Sequence, residues 1–177
     1  QGKLNESISA YQRALAIKPD YVDAYYNLGI ALQTQGKLDE SISVYQRVLN
    51  INGDYVSAHI NIGNALHKKG KLDESISAYQ RALAIKPDCA SAHNNMGVIL
   101  REQGKLEEAL TRFEEAHSIF KETVGTEHPL MATLLTDMGS CYRRLKRLEE
   151  AAAMHSEVLW INRTTYGENS EEAAVSL

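Results

Sequence analysis

The sequence predicts an all-α fold, a solenoid of stacked antiparallel helix pairs, on three observations. The stretch GKLNESISAYQRALAIKPD from Gly2 returns as GKLDESISAYQRALAIKPD from Gly70. Looser copies are GKLDESISVYQRVLNINGD from Gly36 and GKLEEALTRFEEAHSIFKE from Gly104. Gly2, Gly36, Gly70 and Gly104 stand 34 residues apart, and Gly29, Gly63 and Gly97 keep the same step. Within each period the apolar residues fall three and four apart, the stripe of an amphipathic helix rather than the alternation of a strand. A fixed period of this size marks stacked units, none of which can bury its apolar face alone.

The elements follow in chain order. Residues 1–21 read as the second helix, B, of a truncated repeat, about Leu4 to Lys18. Residues 22–55, 56–89 and 90–123 are three short repeats, each a helix A, a tight turn and a helix B. In the first of these, Tyr25, Leu28, Ala31 and Leu32 form one stripe, and Leu38, Ser41, Ile42, Tyr45, Val48 and Leu49 form the other. Gly36 is placed where a helix ends on a left-handed residue, and Pro87 stops a helix B because proline cannot continue one. Small residues are expected where the two helices cross: Gly29 with Ser41, Gly63 with Ser75, Gly97 with Ala109. A large side chain there would force the axes beyond the usual separation of about 8–10 Å. Leu28, Tyr45, Ile62, Tyr79 and Phe113 fill the space around them.

After Gly104 the step changes. Glu108-Ala109 returns as Glu150-Ala151, Gly125 as Gly167 and Ala132 as Ala174, each 42 residues on. The eight extra residues amount to about two helical turns. They are placed as one turn at the end of helix B, near FKETV, and one at the start of the next helix A, with Gly125 closing the first and Pro129 opening the second as its N1 residue. Residues 124–165 are thus a long repeat, in which Lys146 takes the place of the turn glycine. Residues 166–177 begin a further repeat, with a helix from about Glu168.

Composition removes several functional classes. Apolar residues are 44% and charged residues 24% of the chain, enough for a packed core. The net charge of −4 argues against a nucleic-acid partner. No apolar run reaches the ~18 residues of a membrane span, and QGKLNES is not a signal peptide. The opening lacks Met, so the sequence reads as a piece of a longer chain. Cys89 and Cys141 are too few and too far apart for a disulfide framework or a zinc site. They read as reduced thiols, which fits a cytoplasmic, intracellular location.

The unit from Val56 to Cys89 carries His59, Ile62, Gly63, Leu66, Gly70, Ser75, Tyr79, Ala82 and Pro87 at the positions of the tetratricopeptide repeat pattern, and the chain resembles that family over almost its whole length. The departures are Ser7, Ser41 and Ser75 for alanine and Gly53 for the final proline. The short repeats also look like those of O-linked N-acetylglucosamine transferase. The segment GTEHPLMATLLTDMGSCYRRLKRLEEAAAMHSEVLWI resembles the longer repeats of kinesin light chains. The resemblance implies a right-handed superhelix with the A helices lining a concave groove.

No catalytic constellation emerges from the residues. His59 and His93 share one repeat position and are expected to fill the large packing site, not to bind metal. The carboxylate pairs of LDE and LEE fall at helix starts, where negative charge complements the helix dipole and caps free N–H groups. There is no phosphate loop and no nucleophile elbow. No catalytic, cofactor or metal residue is assigned.

What remains is the groove, and its candidate residues are Asn27, Ile30, Asn61, Asn64, Asn94, Asn95, Arg101, Asp137, Arg143 and Arg144. The sixth position of each repeat reads Asn27, Asn61, Asn95, Asp137. A primary amide both donates and accepts, so such a ladder could pair with the backbone of an extended peptide. The competing role is structural, tying helix A to its neighbour. Lys and Arg are absent from the second, fifth, sixth and ninth positions, which removes the subclass that clamps acidic chaperone tails. Arg101, Arg143 and Arg144 favour acidic segments from elsewhere on the face. The function expected is a non-catalytic protein–protein interaction scaffold binding an extended or helical peptide, with self-association end to end through uncapped terminal helices. The alternative is the substrate-recognition arm of a larger, glycosyltransferase-like enzyme.

Overall fold

The structure is a computed structural model that describes residues 2–126 and 128–166. Among them every regular element is an α-helix: α1 (Gly2–Ile17), α2 (Val22–Thr34), α3 (Leu38–Ile51), α4 (Val56–Lys68), α5 (Leu72–Ile85), α6 (Ala90–Glu102), α7 (Leu106–Thr123), α8 (Pro129–Arg144) and α9 (Leu148–Tyr166). The helices pair as α2/α3, α4/α5, α6/α7 and α8/α9. The first five belong to one compact unit that closes at Pro87, and the last four to a second that opens at Asp88. The helix expected from about Glu168 lies outside the described residues, as does the repeat over 166–177 but for Tyr166, which closes α9.

The turns between paired helices share one geometry. Gly36, Gly70 and Gly104 take φ of +78°, +73° and +80°. The following N–H reaches back to a carbonyl of the last turn: Lys37 to Leu32 at 3.0 Å, Lys71 to Leu66 at 3.0 Å, Lys105 to Leu100 at 2.9 Å. This is the left-handed helix stop that glycine adopts without strain. Lys146 makes the same turn at φ +62°, with Arg147 N–H on the Tyr142 carbonyl at 2.9 Å.

The extra residues of the long repeat divide as expected. Helix α7 has 18 residues against 14 in α3 and α5, and α8 has 16 against 13 in α2, α4 and α6. Pro129 is the first residue of α8, and His128 Nδ1 accepts from the Leu130 N–H at 3.2 Å. The His-Pro pair is thereby a helix cap.

The turn at Gly53, which lacks the repeat's proline, keeps the proline geometry. Tyr55 N–H reaches the Asn52 carbonyl at 3.3 Å, as Tyr21 N–H reaches Lys18 at 3.2 Å around Pro19. Asn52 Oδ1 also accepts from the Asp54 N–H at 3.2 Å, a local bond that asparagine offers a turn.

The crossings hold a feature beyond the small-residue pairs. A Cβ built on Gly29, Gly63 or Gly97 would stand 2.5, 2.5 or 2.6 Å from the ring of Tyr45, Tyr79 or Phe113. Three neighbouring ring atoms lie at nearly equal distance, so each ring turns its face to the glycine. The three rings are fully buried. At Gly63 the small residue joins in, since Ser75 Oγ donates to the Gly63 carbonyl at 2.7 Å, whereas Ser41 Oγ bonds Leu38 of its own helix at 2.8 Å. In the long repeat the ring position is His155, which is exposed, and a Cβ on Gly139 would meet Met154 at an ordinary 3.4 Å.

The core of the first unit lies between successive helices. Ile8, Leu28, Ala31 and Leu32 cluster between α1 and α2, and Tyr45, Val48, Ala58, Ile62, Leu66 and Ala78 across α3, α4 and α5. In the second unit Met96, Ile99, Phe113, Met131, Leu134, Leu135, Cys141 and Ile161 are buried. Each such large side chain contributes roughly 1.5–3 kcal/mol on burial. Both cysteines are buried free thiols.

His59 and His93 fill core positions, at 8% and 7% exposure. His59 Nε2 bonds the Gly53 carbonyl at 3.3 Å, and burial lowers its pKa, with the Gly53 carbonyl opposing, Arg81 adding and Asp54 opposing. His93 Nδ1 meets Glu115 at 2.8 Å, and Arg112 meets the same carboxylate at 2.8 Å. Arg81 and Glu115 occupy one repeat position, so the two histidines sit beside opposite charges. No cluster of three metal-ligating side chains occurs among the described residues.

Candidate functional site

The predicted site residues of the first unit lie on α2 and α4. Asn27 is exposed, and its amide donates to the Asp23 carbonyl of its own helix at 2.8 Å. Asn61 instead reaches back to α2, where its amide donates to the Tyr26 hydroxyl at 3.2 Å. Its oxygen faces the Asn64 amide at 3.5 Å, and the Asn64 oxygen accepts from the Tyr79 hydroxyl at 2.7 Å. Asn61 and Asn64 are therefore part of a polar chain running from α2 to α5.

This chain borders a cleft of about 310 Å³ lined by Tyr26, Ile30, Gln33, Thr34, Tyr45, Asn61 and Lys68. Ile30 is 40% exposed, a large apolar side chain open to solvent at the cleft. Tyr45 comes from helix B and lends its hydroxyl to the Gln33 oxygen at 3.2 Å. Tyr26 packs between the rings of Tyr45 and Tyr55, at 6.0 and 5.1 Å. Burial holds the Tyr45 phenol well above its ordinary range, Tyr26 adds to the rise, and the Asn61 amide offsets it. The Tyr55 phenol is raised for the same first reason. Both phenols stay neutral at physiological pH, and the Tyr45 hydroxyl acts as a hydrogen-bond group, not as a base.

In the second unit the predicted residues lie on α6 and α8. Asn94 and Asn95 are half-buried, and the Asn94 amide donates to the Asn95 oxygen at 3.4 Å. Arg101 and Asp137 join α6 to α8 through a half-buried ion pair at 3.3 Å. Burial raises the Asp137 carboxyl above the usual carboxylate range, and the Arg101 guanidinium pulls it back. Arg144 donates to the Arg101 carbonyl at 2.8 Å, while Arg143 is exposed.

The sixth-position series is thus one register with different partners. Asn61 and Asp137 bond the preceding A helix, whereas Asn27 bonds its own. Tyr26, Gln33, Thr34 and Lys68 line the cleft but are not among the site residues expected from the sequence, and Tyr45 was expected only as a packing residue. The missed signal is the run Tyr25-Tyr26, which brings a second phenol to the A-helix surface in the repeat before that of Asn61.

Chemically, the cleft offers neutral amides, phenols, the Lys68 ammonium and the open aliphatic side chain of Ile30. Such groups can donate and accept hydrogen bonds and offer apolar contact. No helix among the described residues is long and apolar enough to cross a membrane.

Known structures share this arrangement of helix pairs. The chain matches the crystal structure of MamA with a TM-score of 0.80 at 21% identity, over 92% of this chain and 91% of that one. It matches BtubC (BKLC) from P. vanneervenii with a TM-score of 0.82 at 18% identity, over 99% and 78%. It also matches YrrB, described as a TPR protein with an unusual peptide-binding site, with a TM-score of 0.71 at 19% identity, over 99% and 84%. A search of curated proteins found no match. A family model described as TPR repeat matches residues 1–36, 34–70 and 63–104, and one described as tetratricopeptide repeat matches 88–164. With its helix pairs, its left-handed turns and these matches along its length, the chain belongs to the tetratricopeptide repeat family.

Proposed function

We propose that the chain is a non-catalytic scaffold that holds an extended or helical segment of a partner protein against the A helices of its repeats. The observation that carries this reading is the α2–α4 cleft, where the Asn61 amide, two phenols and exposed Ile30 meet. The fold is that of a protein-interaction family, and one similar structure is described as having a peptide-binding site. The Asn61 amide is directed at the Tyr26 and Tyr45 hydroxyls, and it can exchange one of these contacts for a peptide carbonyl. Asn95 holds the same repeat position on α6 of the second unit.

A neutral hydrogen bond contributes about 0.5–1.5 kcal/mol net. Replacing Asn61 and Asn95 together by Ala is expected to weaken binding by roughly 1–3 kcal/mol if the two terms add. The test is a peptide-array screen, followed by titration calorimetry of the best binder. Tyr26→Phe separates the roles of Asn61, because it removes the bond to α2 and leaves the amide in place. A binding amide predicts affinity kept or raised in Tyr26→Phe and lost in the double variant. Unchanged affinity in the double variant, with its circular dichroism intact, would assign both asparagines to structure alone.

A further inference from the structure

We propose that the α2–α4 cleft is a subsite for an acidic side chain, a glutamate or aspartate within the partner segment, held at Lys68. This rests on the reading of that face as peptide-binding. Three lysines flank the turn between α4 and α5. Lys69 is matched by Asp39 and Lys71 by Glu74, the latter at 2.8 Å. Lys68 has no carboxylate partner among the described residues, and it lines the cleft. The other six wall residues are neutral. The cleft therefore holds a positive charge that nothing in its walls answers, a few residues from two lysines that are answered.

The rest of the cleft fits the stem and tip of such a side chain. Ile30 and the Tyr26 ring offer apolar surface to methylene groups, and the Asn61 amide adds a donor near the carboxylate. A carboxylate accepts hydrogen bonds and donates none, so it matches an ammonium flanked by donors. A basic side chain would meet repulsion at Lys68. A phosphate, with close to two charges and three acceptor oxygens, calls for more than one cation.

The test uses pools of short fluorescent peptides with blocked ends and randomised neutral flanks, carrying a central Glu, Gln or Lys, and read by anisotropy. A further Gln pool has a free C-terminal carboxylate. The full chain is expected to prefer the Glu pool over the blocked Gln pool by about three- to tenfold, the range of an exposed to partly shielded charge-assisted bond. The preference should shrink as salt rises. Lys68→Gln should abolish it, Lys68→Glu should turn it toward the Lys pool, and Lys86→Gln, at an exposed position beyond α5, should leave it intact. Equal binding of the Glu and blocked Gln pools, with both weakened by Asn61→Ala, would overturn the acidic subsite and leave the peptide-binding reading standing. Binding of the free-ended Gln pool as tight as that of the Glu pool would overturn it in favour of chain-end recognition. Binding of no pool would overturn both.

Discussion

Gly63 and Gly139 occupy the same repeat position and are expected to answer the same substitution in opposite ways. Gly63→Ala drives a methyl into the buried face of Tyr79, and overpacking of this kind costs roughly 1–3 kcal/mol. Gly139→Ala meets only ordinary contacts, so the alanine's better helix propensity should stabilise by about 0.5–1 kcal/mol. Urea midpoints that move the same way in both variants would refute the ring-on-glycine account. Lys146 is the other telling residue. Left-handed backbone costs a non-glycine about 1–2 kcal/mol, partly returned by glycine's freer unfolded chain. Lys146→Gly is therefore expected to raise the urea midpoint, by about 0.5–1 kcal/mol in stability. The substitution of glycine by lysine was legible in the period. That the lysine keeps the glycine's φ was not, because the backbone there is dictated by the return bond of Arg147 to Tyr142.

At the scale of the element, the α3–α4 junction joins a turn to a buried titrating side chain. Gly53 stands second in the same four-residue turn that Pro19 occupies after α1, and Asn52 before it (φ −136°, ψ 96°) matches Lys86 before Pro87 (φ −130°, ψ 90°). Gly53→Pro should stabilise by about 0.4–1 kcal/mol, chiefly by restricting the unfolded chain. Below this turn lies His59, whose pKa burial lowers. Its unfolded form binds a proton near pH 6.5 while the folded form resists, so stability rises with pH across that window. The contribution is present above the unfolded pKa and lost as pH falls through the folded one. His59→Tyr is the control, since Tyr25 holds that position one repeat earlier. Urea midpoints between about pH 7.5 and 5 should fall more for wild type than for His59→Tyr. An identical pH slope in the two would remove His59 as the titrating group. Helices and turns were legible because the period repeats them. The surroundings of His59 and His93 were not, because Arg81 faces one and Glu115 the other.

For the whole molecule, the two core clusters around Ile8 and Tyr45 draw only on residues before Pro87. Deleting everything after Val124 is therefore expected to leave the remaining helices folded, with circular dichroism falling in proportion to length and a lower urea midpoint. Complete loss of helicity would mean a single indivisible core. The order of helices could be read from spacing alone, since it repeats, whereas the A-helix face followed from the family resemblance. The site could be read only as a register. Asn61 finds Tyr26, 35 residues earlier, through the reach of two side chains, whereas Asn27 at the same register turns to its own backbone.

The rings on the glycines have a magnetic consequence. The α-hydrogen of Gly29, Gly63 and Gly97 that stands where a Cβ would be lies over the face of Tyr45, Tyr79 or Phe113, in the shielding cone of the ring current. Those three protons should resonate well upfield of the normal glycine range. The corresponding proton of Gly139, beside an exposed imidazole, should resonate inside it. The three shifted lines then report each short helix pair separately, and their order of disappearance in urea gives the order in which the pairs open.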